Sequence, residues 1–183
     1  MDAKENHVNS EDKLMGTIFL YTGYGAGKTT NALGLALRCV GHKLKVIIIQ
    51  FMKGRRDIGE YLIKDRLGPE YEIYQFGSTE YITLVNPSME DKGIAKKGLE
   101  FAKEVLKKKP HLLVLDELNL AAAIGLLDKK EILDFLKQVP KETDVVLTGR
   151  MAPSWLIDKA DIVNLVAEVK TPKKMYNRIG INY

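Results

Sequence analysis

Several protein classes are closed to this chain by what it lacks. It has a single cysteine, Cys39, so neither an intrachain disulfide framework nor a cysteine-cluster metal site can form. Its three histidines, His7, His42 and His111, are far apart in sequence and show no zinc-ligand spacing. The longest nearly uncharged stretch, Leu118 to Leu127, is about half of what a bilayer-spanning helix needs. Residues 1–13 are polar and have no apolar signal core. Charge of one sign is scarce: 28 Lys and Arg against 24 Asp and Glu leave +4, too weak a balance to announce nucleic acid. The lysine runs Lys96-Lys97, Lys107-Lys108-Lys109 and Lys173-Lys174 lack interleaved aromatics and read as solvated faces. A soluble cytoplasmic protein is expected, with no membrane span and no nucleic-acid partner.

What remains is ordinary globular material. The 183 residues, 45% hydrophobic and 28% charged, suit one domain with a sizeable core. Residues 1–13 read as a flexible N-terminal arm and 14–183 as the folded domain. Short apolar runs alternate with helical stretches. Thr17–Thr22 reads as a strand, Thr29–Val40 as a helix with Leu33, Ala36, Leu37 and Val40 on one face, and Lys45–Phe51 as a strand buried on both sides. Tyr71–Phe76 is a third strand and Gly77–Pro87 a polar loop. Ser88–Lys109 is a long helix carrying Ile94, Ala95, Leu99, Ala102, Val105 and Leu106, and Leu112–Leu115 is a buried strand. Asp128–Gln138 is a helix capped by Asp128, Val145–Thr148 a fifth strand and Ile162–Val169 a sixth. This order predicts an α/β fold: a mainly parallel sheet with helices on both faces. Cys39, on the first helix, is expected to pack rather than react.

The strongest chemical signal is Thr22-Gly23-Tyr24-Gly25-Ala26-Gly27-Lys28-Thr29-Thr30, which follows a strand and opens a helix. Alternate glycines let the backbone curl so that amides point inward at phosphate oxygens. The helix N-terminus adds partial positive charge. Lys28 supplies a full charge, and Thr29 a hydroxyl for Mg²⁺. The usual P-loop is G-x-x-x-x-G-K-[ST]. Here Thr22 stands at its first glycine, and from Gly23 the loop is one residue shorter. Asp116-Glu117, after the fourth strand, provides the acidic half that a Mg²⁺–nucleotide site needs.

With these residues the chain resembles the P-loop-type corrinoid adenosyltransferases, ATP:cob(I)alamin adenosyltransferases. The likeness runs from the short loop through Ala36-Leu37-Arg38, Val40-Gly41-His42, Gln50-Phe51-Met52-Lys53-Gly54 and Gly59-Glu60. It continues through Val114–Leu118, Thr148-Gly149-Arg150 and Ala160-Asp161 to the closing Gly180–Tyr183. The resemblance implies a RecA-like fold and transfer of the 5′-deoxyadenosyl group of ATP to the Co(I) of a reduced corrinoid, with inorganic triphosphate leaving. It implies a homodimer, and an electron-donor protein that reduces the cobalt is a further expected partner. By matched position, Gly23, Tyr24, Gly25, Ala26, Gly27, Lys28, Thr29 and Thr30 would hold the triphosphate, with Arg38 and Arg150 also on the nucleotide. Lys28 and Glu117 would serve the chemistry, and Thr29 with Glu117 or Asp116 would hold Mg²⁺. Lys53 and Glu60 match family positions, but their residue types alone assign them no role.

The chain also departs from the family. Tyr24 and Ala26 stand where the loop commonly has Asn and Lys. Gly77-Ser78-Thr79-Glu80 replaces a Gly-Phe-Thr-Trp element linked to corrinoid binding, and Phe76 and Tyr81 only flank it. The tail lacks a His-Pro-aromatic element. Two other classes share parts of the pattern: a nucleotide-dependent corrinoid carrier or sensor, and a generic P-loop kinase or ATPase.

Overall fold

The structure, a computed structural model, describes residues 16–78, 85–174 and 176–181. The expected N-terminal arm and the middle of the Gly77–Pro87 loop, with Thr79, Glu80 and Tyr81, lie outside the described residues, as do Asn182 and Tyr183. The elements in order are β1 (Ile18–Thr22), α1 (Lys28–Gly41), β2 (Val46–Phe51), α2 (Gly59–Leu62), α3 (Lys64–Leu67), β3 (Tyr71–Phe76) and α4 (Met89–Leu106). They continue with β4 (Leu112–Asp116), α5 (Leu118–Ala123), α6 (Lys129–Leu136), β5 (Asp144–Thr148), α7 (Ser154–Ile157) and β6 (Ile162–Leu165). The strands form one six-stranded sheet in the order β3-β2-β4-β5-β1-β6, and every pairing is parallel. The expected α/β architecture is the one formed.

Strand side chains alternate between the two faces, and each face is buried by its own helices. Ile47, Ile49, Leu113, Leu115, Val145 and Leu147 pack with Leu99, Ala102 and Val105 of α4 and with Leu118, Ile132 and Phe135. Val46, Ile48, Leu112, Val114 and Val146 pack with Ala32 and Ala36 of α1. Both faces being covered explains why β2 and β4 are buried at every position and read as continuous apolar runs. Ser88 and Asp128 cap α4 and α6 with their side chains. Cys39 packs half-buried against the α1-side core, as expected.

Several details differ from the sequence reading. The buried stripe of α1 is Lys28, Ala32 and Ala36, four residues apart. Leu37, one residue round the helix, is therefore 60% exposed rather than packed. The last helical residue of α4 is Leu106, because Lys109 adopts a φ of 46°. β6 ends at Leu165 instead of Val169, since the Val166 carbonyl bonds to Gly25 N at 2.9 Å and draws the chain across the P-loop. Stretches unassigned from sequence contain the short helices α2 and α3, each 4 residues long, and also α5 and α7. Among the described residues no helix is long and apolar enough to cross a membrane.

Candidate active site

β1 lies beside β5 and β6, and its connection through α1 must cross β5 and β4 to reach β2. Such a change of direction opens a crevice at the carboxyl edge of a parallel sheet. Three segments converge there: the glycine loop after β1, Asp116-Glu117 at the end of β4, and Gly149-Arg150 after β5.

The loop's glycines have separate reasons. Gly23 and Gly27 adopt φ of 103° and 107°, which favour glycine strongly. Gly25 has no such angle, but a Cβ there would lie 2.8 Å from the Val166 carbonyl oxygen and from Ala167 C. The chain leaving β6 thus lies directly against the loop. α1 begins at Lys28 with no side-chain cap and no acidic residue in its first turn. Its first amides are left for an incoming anion. Lys28 is 7% exposed, and its Nζ donates to the Gly25 carbonyl at 2.7 Å. Burial lowers its pKa, with Arg150 adding to the effect and Glu117 and Asp116 opposing it.

Asp116 is the centre of the site and is fully buried. Its Oδ1 accepts from Thr29 Oγ1 at 2.8 Å and Thr148 Oγ1 at 2.6 Å. Its Oδ2 accepts from Lys53 Nζ at 2.7 Å and Gln50 Nε2 at 3.0 Å. Burial alone would raise its pKa; the Lys53 charge and the hydrogen bonds from Lys53, Thr148 and Thr29 outweigh it and hold the carboxyl below its ordinary value. The neighbouring carboxylate is different. Glu117 has a φ of 63°, and its backbone N–H donates to Thr148 Oγ1 at 3.0 Å. Its Oε2 is buried with no hydrogen-bond partner among the described residues. Burial, then the charge of Asp116, raises its pKa, although Lys53, Lys28 and Arg150 pull the other way.

A hard cation fits this donor set. Thr29, Asp116 and the unpartnered Glu117 oxygen are all oxygen ligands of the kind Mg²⁺ takes. Among the described residues no group of three or more His, Cys, Asp or Glu side chains could hold a metal by itself. Mg²⁺ held here would therefore draw further ligands from phosphate and water.

Above this floor opens a cleft of about 1300 Å³. Its polar part includes Tyr24, Thr29, Lys53, Glu60, Glu117 and Arg150. Leu33, Leu37, Met52, Ile58 and Met151 supply an apolar wall. Arg150 stands over Tyr24, its guanidinium carbon 5.9 Å from the ring centre, within cation–π range. Ser78 also lines the cleft, so the described start of the Gly77 loop borders it. The structure thus brings the glycine loop, Thr29, Thr30, Asp116, Glu117 and Arg150 together. Arg38 is apart from them: it is exposed, in the last turn of α1, about 15 Å along the helix from Lys28, and does not line the cleft.

Sequence reasoning did not assemble Gln50, Gln75, Thr148 and Lys53. Gln50 is in register with Gln75 on β3 and with Asp116 on β4. Gln75 Nε2 donates to Gln50 Oε1 at 3.0 Å, so one polar row crosses from β3 to β5. Polar residues closing otherwise apolar strands were the available signal, but pairing them needs the strand order.

Fold and site together define a P-loop nucleotide-binding α/β protein. The crystal structure of a KaiC-like protein from Pyrococcus horikoshii shares this fold, with a TM-score of 0.54 at 15% identity, over 87% of this chain and 76% of that one. The expected P-loop fold of RecA type is thereby supported. The chain belongs to the ATP:corrinoid adenosyltransferase BtuR/CobO/CobP family, whose sequence pattern matches residues 14–183. A corrinoid adenosyltransferase of Sinorhizobium sp. is 33% identical, over 93% of this chain and 80% of the relative. That of Escherichia coli K12 is also 33% identical, over 92% and 86%. The Salmonella typhimurium enzyme is 31% identical, over 92% and 85%.

Proposed function

We propose that this protein transfers the 5′-deoxyadenosyl group of ATP to the cobalt of a reduced corrinoid, cobalamin or a precursor, and releases inorganic triphosphate. The observation that carries this reading is the meeting of the uncapped α1 N-terminus, Lys28 and the Thr29–Asp116 pair under a half-apolar cleft. In the step, the Co(I) electron pair forms a bond to C5′ and the C5′–O bond breaks. Its electron pair leaves on the triphosphate, and the cobalt is oxidised by two electrons. A metal nucleophile of this strength needs no protein base. The protein has two tasks: to hold C5′ close to cobalt and to meet the charge of the departing triphosphate with preset donors.

The amides of Gly23–Thr30 and the Lys28 ammonium suit the second task, with Tyr24 and Ala26 contributing backbone only. Thr29 with Glu117 or Asp116 would hold Mg²⁺, which supplies further charge neutralisation when bound. Arg150 is assigned to the nucleotide inside the cleft; Arg38, exposed in the last turn of α1 and outside the cleft, is given no nucleotide role. The apolar wall, open to solvent, suits a flat macrocycle. A homodimer belongs to the same reading. Ile162, Val163 and Leu165 of the edge strand β6 are 43%, 42% and 74% exposed, which supports self-association. An electron-donor protein for cobalt reduction and a cytoplasmic location complete it.

The test incubates the protein with Mg-ATP and chemically reduced cobalamin and follows the adenosylcobalamin spectrum and triphosphate. ADP and phosphate as products would instead indicate a kinase or ATPase, and tight ATP binding without product a carrier or sensor. Lys28→Ala is expected to weaken ATP binding and abolish transfer; unchanged transfer would refute the role given to the loop.

A further inference from the structure

Lys53 sits where a cation is needed. Its Nζ is 2.7 Å from Asp116 Oδ2 and 3.3 Å from Thr29 Oγ1, and that hydroxyl is 2.8 Å from Asp116 Oδ1. One ammonium therefore rests on both the hydroxyl and the carboxylate that would hold a divalent ion. The backbone enforces the placement. Met52 turns the chain out of β2 with a φ of 58°, and its N–H donates to the Phe76 carbonyl at 2.9 Å. A Cβ on Gly77 would lie 2.3 Å from Lys53 N, and one on Gly54 would lie 2.7 Å from Gly77 O. The exits of β2 and β3 are wedged together, and Lys53 projects inward from the wedge. Gln50 holds Asp116 Oδ2 as well, at 3.0 Å, so the carboxylate cannot turn away from the ammonium cheaply.

We propose that Lys53 is a resident counter-cation that keeps a divalent metal off the Thr29–Asp116 pair until a triphosphate arrives with it. The inference rests on the Mg²⁺–nucleotide reading of this site. A buried carboxylate needs a partner charge at all times, and Lys53 supplies it. An ammonium and a divalent ion on the same oxygens repel each other strongly at this depth. A triphosphate relieves the conflict, because it offers Lys53 a second set of anionic oxygens. Metal and nucleotide then enter as a unit.

The test titrates Mn²⁺ alone into the nucleotide-free protein and reads free Mn²⁺ by electron paramagnetic resonance. The wild type is expected to bind weakly. Lys53→Gln, which keeps an amide donor for Asp116, is expected to bind Mn²⁺ at least tenfold more tightly. That gain is expected to vanish in Lys53→Gln/Asp116→Asn. Lys53→Met, run beside it with circular dichroism as the check on folding, is expected to show the same gain, since the charge and not the amide is at issue. A folded Lys53→Gln or Lys53→Met protein with wild-type or weaker Mn²⁺ affinity overturns the proposal. No ATP or corrinoid is present, so this failure is distinct from failure of the transferase assay.

Discussion

Thr148→Val changes one buried oxygen into a methyl of similar size and tests the floor of the site. Thr148 is fully buried. Its hydroxyl donates to Asp116 Oδ1 at 2.6 Å and accepts from Glu117 N at 3.0 Å. A hydrogen bond to a charged group contributes about 1.5–3 kcal/mol, and a buried N–H left without a partner costs about 1–3 kcal/mol. Asp116 keeps Thr29, Lys53 and Gln50 as donors, so the low end of each range applies, giving roughly 2.5 kcal/mol. For a domain of this size that is a fall in Tm of about 5–10 °C. Thr148→Ser keeps both hydrogen bonds and is expected to lose only about 1 kcal/mol for the missing methyl. The assay is urea denaturation at constant m-value, with ATP affinity measured alongside. Asp116 loses one of the groups that aim it at Thr29, so affinity should fall in the valine variant and not in the serine variant. A valine variant within about 0.5 kcal/mol of wild type, or a serine variant equally damaged, would refute the hydrogen-bond argument.

Two further outcomes are expected. Gly25→Ala should weaken ATP binding and destabilise the fold, because its Cβ would lie 2.8 Å from the backbone of Val166 and Ala167; overpacking of this kind costs about 1–3 kcal/mol, and an unchanged melting temperature would contradict it. Glu72 tests the acid limb. Burial would raise its pKa, but Lys45, Tyr74 and Lys108 pull it from 4.5 to about 2. Between those values the unfolded chain binds the extra proton, so its contribution is complete above about pH 4.5 and is lost as pH falls through about 2. Glu72→Gln should cost about 1–2 kcal/mol at pH 7, discounted for partial exposure, and should flatten the stability profile below pH 4.5. A profile parallel to that of wild type would exclude Glu72 as its source.

Features that depend on neighbours along the chain were legible before any fold was known. Lys45–Phe51 and Leu112–Leu115 announced a doubly covered sheet, because a strand buried on both faces is apolar along most of its length. Gly23 to Thr30 announced an anion site, because strand, glycines, lysine and helix start are contiguous. Asp116-Glu117 was legible as a pair, but the difference between its members was not. Long-range packing decided that Asp116 meets four donors from three stretches of chain, the start of α1, the end of β2 and β5, while Glu117 turns away in a left-handed conformation with one oxygen unpartnered among the described residues. The reach of Lys53 to Asp116 and Thr29, the row of Gln75, Gln50 and Thr148, and the exposure of Leu37 on the cleft wall were decided there too. The physical reason is common to all of these. They depend on which strands are adjacent, in what register, and how the helix is rotated against the sheet, and long-range packing sets those relations.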